Sequence, residues 1–412
     1  MGSIVAGVLA GLASLRIGVG RSLAVFAGIF ALGCLCSAVA PTMGLLLSGR
    51  VLQGLGGGAL MALSHVAVTK GFPERNWTSL FALISGVWGL SSLAGPLIGG
   101  LFAEAGWWRG AFLVFAGKGL LIALAAPWML SRMGLSSRMN RSPGALGSHR
   151  VPWHSLTLLT LGVLAVAAAG VVPSVWAGFG LVAVGLTLLL SMLRAEILAS
   201  GSLLPSAGLR TSPAVRSGLA MTLLLSVSTI AFLIYGPFLL ETFYGIGALR
   251  AGYFVASESI AWTLAALAVG RVQPEGEPLY LRLGPVTVFC GLLGIAVFLP
   301  LGPSWMVLPW VAMQGAGYGL AYAFIVRRVV TAAPEGEREQ AAGAVAAVQM
   351  LGYSLGAAIA GIAINSQGLE PMGDKAQSAI AVQGLFAAFI PFAALAIFAG
   401  RRLAALPSKA IA

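Results

Sequence analysis

The stretch Arg50-Val51-Leu52-Gln53-Gly54-Leu55-Gly56-Gly57-Gly58 returns in outline as Val311-Ala312-Met313-Gln314-Gly315-Ala316-Gly317-Tyr318-Gly319. Both copies read Gln-Gly-x-Gly-x-Gly. The same shift carries Pro73-Glu74 onto Pro334-Glu335, and Gly95 and Gly100 onto Gly356 and Gly361, with no gap. Glycine is abundant here, 56 of 412 residues, so isolated glycine matches weigh little. The Gln-Gly and Pro-Glu pairs in register carry the inference of an internal duplication.

The composition says what is duplicated. Hydrophobic residues make up 58% of the chain and charged residues 9%, against roughly 25% charged in a soluble domain. So few charges cannot coat a globular surface. That excludes a soluble enzyme, a disordered chain and a fibrous protein, and leaves a polytopic membrane protein, with the glycines letting helices approach closely. Thirteen apolar runs read as spans: 3–15, 21–40, 44–69, 77–103, 110–131, 154–172, 175–193, 217–240, 248–270, 283–300, 304–326, 340–364 and 379–400. They are continuously apolar and too long for the alternating strands of a barrel. The fold class predicted is all-α, two pseudo-symmetric bundles with an inserted central helix pair.

The net charge of +12 invites a nucleic-acid reading, which the placement of the cations removes. Arg50 and Lys118 lie within spans, and Arg109, Arg250 and Lys375 in one alternating set of connections. The remaining nineteen of the 24 Lys and Arg fall in the other set and in the C-terminal tail. Positive residues stay cytoplasmic, so that set and the C-terminus are placed inside. An odd number of spans then puts the N-terminus outside. Yet Met1 opens almost directly into an apolar run, with neither a polar tail nor the features of a signal peptide. The expectation is a missing upstream helix.

The duplication moves span 44–69 onto 304–326 and span 77–103 onto 340–364, an even step that preserves orientation. Parallel halves about an axis along the membrane normal are one architecture of secondary transporters. The chain divides into an N-terminal bundle (1–131, five of six helices), a cytoplasmic linker (132–153), an inserted pair (154–193) and a C-terminal six-helix bundle (194–412).

At the motif level the chain resembles the major facilitator superfamily, in its fourteen-helix drug:proton antiporter branch. Arg50-x-x-Gln53-Gly54-x-Gly56 resembles that family's fourth-helix motif. Gly95-Pro96-x-x-Gly99-Gly100, with Gly86 and Gly89 upstream, resembles the antiporter motif of its fifth helix, and Trp108-Arg109-x-x-Phe112 follows. The segment Gly11–Arg21 departs from the family: Leu15 stands where an acid belongs, and the second basic position is thinned to Arg21. The resemblance implies alternating access, a proton-coupling role for Arg50, and export of lipophilic or cationic compounds. The lost acid implies an alternative, a degenerate or truncated membrane protein that binds without transporting.

Several polar residues inside spans are candidates for the transport path. Arg50 sits about a turn and a half within its span, where a charge is costly and marks a functional site; the bland reading is a snorkelling side chain. Gln53 and Gln314 either bind substrate across a central cavity or join helices. Tyr318 and Tyr322 share a face with Gln314 and either wall the cavity or pack. Lys118, between two glycines, either contacts substrate or pairs with an acid. Gly95, Pro96, Gly99 and Gly100 read as backbone devices that bend and seal the cavity.

Acids are few, and most lie in loops. Glu258 is the exception, mid-span between Ser257 and Ser259. It is assigned proton coupling, against a structural reading, with Glu241 and Glu104 at outer helix ends as weaker candidates. His65 reads as structural, and Cys34, Cys36 and Cys290 as small buried hydrophobes.

No G-x-x-x-x-G-K-[ST] loop is present, so pumping would draw on an ion gradient. No metal-ligand spacing appears around His65, His149 and His154. The expectation is a non-enzyme without cofactor or metal in the inner or plasma membrane. Its partners are a small-molecule substrate, protons and the lipid bilayer, with no nucleic acid, and it acts as a monomer.

Overall fold

The computed structural model describes residues 2–132, 153–170, 172, 174–198, 204–367 and 375–407. Every regular element among them is helical. The helices are α1 (Gly2–Ile17), α2 (Val19–Ala38), α3 (Met43–Gly71), α4 (Trp77–Glu104) and α5 (Arg109–Arg132), then α6 (Trp153–Ala169) and α7 (Val175–Leu198). After a short α8 (Ser206–Thr211) come α9 (Pro213–Tyr244), α10 (Ala248–Val269), α11 (Glu277–Leu301), α12 (Val307–Ala332), α13 (Arg338–Gln367), α14 (Lys375–Ala387) and α15 (Ile390–Ala405). Among the described residues nine helical segments are long and apolar enough to cross a membrane. The linker 132–153 lies outside the described residues except for its two ends.

Local chemistry sets the boundaries. Ser212 accepts a hydrogen bond from the Val215 amide at 3.3 Å, and Pro213 occupies the first turn of α9, where its missing N–H costs nothing. The same helix ends at Gly245, whose φ of 61° is the left-handed conformation a helix exit favours. Within α9, Thr222, Ser226, Ser228 and Thr229 each turn a hydroxyl back to a carbonyl four residues earlier, so the polar groups are satisfied in an apolar span. The span read at 379–400 is two helices, α14 and α15. Pro391 has no N–H and its ring crowds residue 387, which ends α14 there.

The duplication is visible in three dimensions. The 3-10 turn Glu74–Asn76 and the start of α4 at Trp77 map at the same shift onto Glu335–Glu337 and the start of α13 at Arg338. The pairing of α2 with α3 repeats in α11 with α12, and that of α1 with α3 repeats in α10 with α12. Glycines set these approaches. A methyl on Gly33 would lie 2.5 Å from the Gln53 amide nitrogen, and one on Gly294 would strike Trp310. Gly56 faces Phe26 and Phe30 of α2, as Gly317 faces Gly284 and Val288 of α11.

The halves touch at their Arg-rich ends. Ser79 at the start of α4 donates to the Gly270 carbonyl at the end of α10 at 3.0 Å, and Trp77 and Phe81 are buried with Val269 in one core. At the opposite end Leu90 and Leu101 of α4 and Leu249 and Tyr253 of α10 are exposed. α6 and α7 pack on each other and lie against α13.

A buried ion cluster at the Arg-rich end of the second half has no counterpart in the reading of the sequence. Glu277, fully buried, receives Arg327 Nη1 on one oxygen and Arg328 Nε on the other at 2.9 Å. Arg328 also donates to the Leu406 carbonyl at 2.8 Å, tying the end of α15 to α12. Removing one member leaves uncompensated buried charge, so Glu277→Ala is expected to cost about 3–5 kcal/mol, read as a fall in melting temperature of the detergent-purified protein. Glu337 makes a second tie: its carboxylate accepts from the Ala207 and Gly208 amides at 2.9 and 2.8 Å, joining the α12–α13 turn to α8.

Candidate functional site

Where the halves meet there is a cavity of about 100 Å³. Its walls come from α3, α4, α9, α10, α12 and α13, and include His65, Glu258, Trp262, Tyr322, Gln349 and Tyr353. Five of these six are polar or titratable, in a chain with few such groups.

The polar groups form a chain from one half to the other. His65 on α3 is 1% exposed; its Nδ1 lies 2.9 Å from the Met61 carbonyl and its Nε2 2.9 Å from the Tyr322 hydroxyl on α12. The Tyr322 hydroxyl donates to Gln349 Oε1 on α13 at 3.3 Å, and Gln349 Nε2 donates to the Tyr353 hydroxyl at 3.3 Å. Phe81 stacks on the His65 ring with centroids 5.4 Å apart. A contiguous network of this kind is satisfied only in one arrangement of its members, so it fixes how the halves meet.

Beside it stands the carboxyl of Glu258. One oxygen accepts a long hydrogen bond from Gln314 Nε2 at 3.4 Å. The other is buried without a partner among the described residues, as is Oε1 of Gln314. Gln314 Nε2 also donates to the Thr229 carbonyl at 2.9 Å. A carboxyl with a spare oxygen on a cavity wall can bind a proton or a cation without breaking an existing bond.

The glycine motif places this carboxyl. A methyl on Gly315 would drive into the Glu258 carbonyl oxygen, and one on Gly319 into that of Trp262. Four residues apart on both helices, these close approaches bring α10 against α12 along one line. That line stacks the Trp262 ring at 4.3 Å from Tyr318 and 5.6 Å from Tyr322. Tyr318 is fully buried behind the wall, its hydroxyl 2.7 Å from Ser226 Oγ.

Of the residues assigned to the transport path or to proton coupling from the sequence, Glu258 and Tyr322 line the cavity, with Gln314 and Tyr318 one layer behind. The others lie elsewhere. Arg50 Nη1 donates to Gln53 Oε1 at 2.7 Å, and Gln53 Nε2 reaches Cys34 Sγ at 2.8 Å, an arrangement internal to the first half. Gln53 and Gln314 are both buried, each bonded within its own half, and do not meet. Arg50 is exposed on the flank of α3. Lys118 is exposed on α5, with Nζ 5.6 Å from the Phe115 ring. Glu241 is exposed in the last turn of α9. Gly95 and Gly99 face open space; Pro96 and Gly100 are helical, and their surroundings lie outside the described residues.

Trp262, Gln349 and Tyr353 do not stand out in the sequence, and His65 reads there as structural. A signal is present all the same: Trp262 follows Glu258 by four residues, and Tyr353 follows Gln349 by four, one helical face in each case.

Comparison with known proteins agrees with this architecture. The model of the Major Facilitator Superfamily matches residues 1–283. A probable multidrug-efflux transporter of Mycobacterium tuberculosis strain H37Rv is 29% identical over 409 residues, covering 97% of this chain and 84% of the relative. An uncharacterized transporter of Escherichia coli K12 is 25% identical over 346 residues, covering 82% and 73%. Among solved structures, the human organic anion transporter MFSD10 superposes with a TM-score of 0.68 at 16% identity, over 97% of this chain and 81% of that one. The proton:xylose symporter XylE does so with 0.61 at 15%, over 97% and 82%; at such identities the likeness shows the fold. With parallel helical halves around a shared polar cavity and a family match across most of its length, the chain is a polytopic membrane transporter that belongs to the Major Facilitator Superfamily.

Proposed function

We propose that this protein exports small lipophilic or cationic compounds in exchange for protons, by alternating access, as a member of the fourteen-helix antiporter branch. Residues 1–131 and 194–412 act as the two rocking bodies, 132–153 as the linker and 154–193 as the inserted pair. The plasma membrane is its place, with the Arg-rich ends and the C-terminus cytoplasmic, and it works as a monomer. The observation that carries the reading is the Glu258 carboxyl, half-satisfied, on the wall of a cavity between the halves. Trp262 and Tyr322 offer aromatic faces suited to apolar or cationic groups, and the multidrug-efflux relative supports the substrate class.

The cavity of about 100 Å³ is below the roughly 300 Å³ a drug-sized ligand occupies. Substrate therefore enters only when the halves separate. Separation at the Arg-rich end breaks the His65–Tyr322 and Ser79–Gly270 bonds, which are remade in each cycle.

The test is uptake of a lipophilic cationic dye into inverted membrane vesicles energised with a proton gradient. Accumulation that collapses on adding a protonophore is the expected result; uptake indifferent to the protonophore would remove the coupling. Dye binding without accumulation would favour the second reading, a non-transporting member, which Leu15 in the place of the family's acid supports.

A further inference from the structure

A larger open space than the inter-half cavity lies away from it. A cleft of about 430 Å³ runs between the inserted pair and the second half. Its walls are carbon: Leu159 and Val166 of α6, Leu189 and Leu193 of α7, Leu223 of α9 and Leu351 of α13 are among them. The space is many times the roughly 30 Å³ share of a water molecule, and such apolar walls offer water no partners. Leu186 and Leu190 on its rim are 39% and 58% exposed, so the cleft opens sideways on the flank of the bundle, the surface that faces lipid.

One cationic residue lines it. Arg216, in the first turn of α9, spends Nη1 on the Leu209 and Arg210 carbonyls at 3.0 and 2.9 Å. Its side chain is exposed and makes no salt bridge among the described residues. Two carbonyl bonds hold the guanidinium at the Arg-rich end of the cleft while leaving further N–H groups to donate. Glu196 on α7 is buried and partnered within the protein. The cleft is thus long and apolar, laterally open, and closed at its interfacial end by a fixed cation.

We propose that this cleft binds an anionic phospholipid of the leaflet at the Arg-rich end, with an acyl chain between α6–α7 and α9–α13 and the phosphate on Arg216. A zwitterionic lipid satisfies the apolar walls equally but places a cation of its own beside the guanidinium. A lipophilic transport substrate satisfies the walls and makes no use of a phosphate site. Charge complementarity selects the anionic lipid. In this reading the inserted pair adds a lipid seat to the second half and takes no part in the inter-half cavity.

The full-length protein, stripped of lipid in detergent, is titrated with phosphatidylglycerol or phosphatidylcholine of matched chains, and bound lipid is counted by native mass spectrometry. The parent is expected to hold at least one phosphatidylglycerol in preference to phosphatidylcholine. Arg216→Ala is expected to weaken that preference about fivefold, the weight of one cation at an anionic surface, with little change in phosphatidylcholine binding. Ala347→Trp, which fills the cleft from α13, is expected to lower retention of both lipids, and a melting curve confirms that the variant is folded. Equal binding of the two lipids by the parent would overturn the proposal. So would full phosphatidylglycerol retention by a folded Ala347→Trp variant, or displacement of the lipid by a lipophilic dye but not by added phosphatidylglycerol.

Discussion

Glu258→Gln is expected to abolish accumulation of dye against a gradient while leaving downhill movement of dye in place. The substitution keeps the size of the side chain and its ability to bond Gln314, and removes only the capacity to take and release a proton. A positioned proton-transfer group is worth about 10²- to 10⁴-fold, so the proton-driven rate should fall by at least about 100-fold. Separating driven from downhill flux is what makes the measurement decisive: a structural glutamate would lose both together or neither. Uphill transport by the Gln variant at the parental rate would assign the carboxyl to packing. Glu241→Gln serves as the contrast, because that side chain is exposed at a helix end and touches none of the cavity; its proton-driven rate should stay within about twofold of the parent.

The second large effect concerns glycines, and its sign depends on where each one sits. A methyl on Gly315 would collide with the Glu258 carbonyl oxygen, a backbone atom that no rotamer change can move aside. Gly315→Ala must push α10 from α12. Overpacking costs about 1–3 kcal/mol and occasionally more. Here the cost should be at the upper end or beyond, because the same displacement draws Glu258 away from Gln314 and Trp262 away from Tyr318. Among the described residues a methyl on Gly95 meets nothing within 4 Å. Gly95→Ala should be neutral or slightly stabilising, by up to about 1 kcal/mol, since Ala is the better helix former. Melting temperatures of the two purified variants would check both signs. A stable Gly315→Ala protein with parental transport would mean that the close approach of α10 and α12 is dispensable.

Most of the architecture was legible because the bilayer demands it. A span must be long, apolar and helical to satisfy its own backbone in lipid, so composition alone gave helices such as α3 and α9 to within a few residues. Short-range chemistry was less visible. The break ahead of Pro391 is hidden in the sequence because the residues around it, Phe389, Ile390 and Phe392, are as apolar as any span. Helix α8 is six residues long and held by Glu337, an acid more than a hundred positions away.

The site was half legible. Glu258 stood out because a lone carboxyl in an apolar run is conspicuous by itself. His65, Gln349 and Tyr353 did not, since a shared helical face, as Gln349 and Tyr353 have, is as common in a packed interior as in a cavity lining. Arg50 and Lys118 were conspicuous for the same reason as Glu258, yet both project from the flanks of their helices. A charge in a span announces that it is costly, and gives no sign of which face of the helix bears it.

By itself, then, the order of residues determined that the chain is built of apolar membrane helices, that they are duplicated, and the glycine register that lets α10 meet α12. Those are properties of one chain segment and the solvent around it. Only the tertiary structure decided that His65 reaches Tyr322 across the halves, that Gln53 and Gln314 stay apart, and that Glu277 gathers two arginines. Each of those depends on the rotation of one helix against another, which is set by packing between residues tens to hundreds of positions apart.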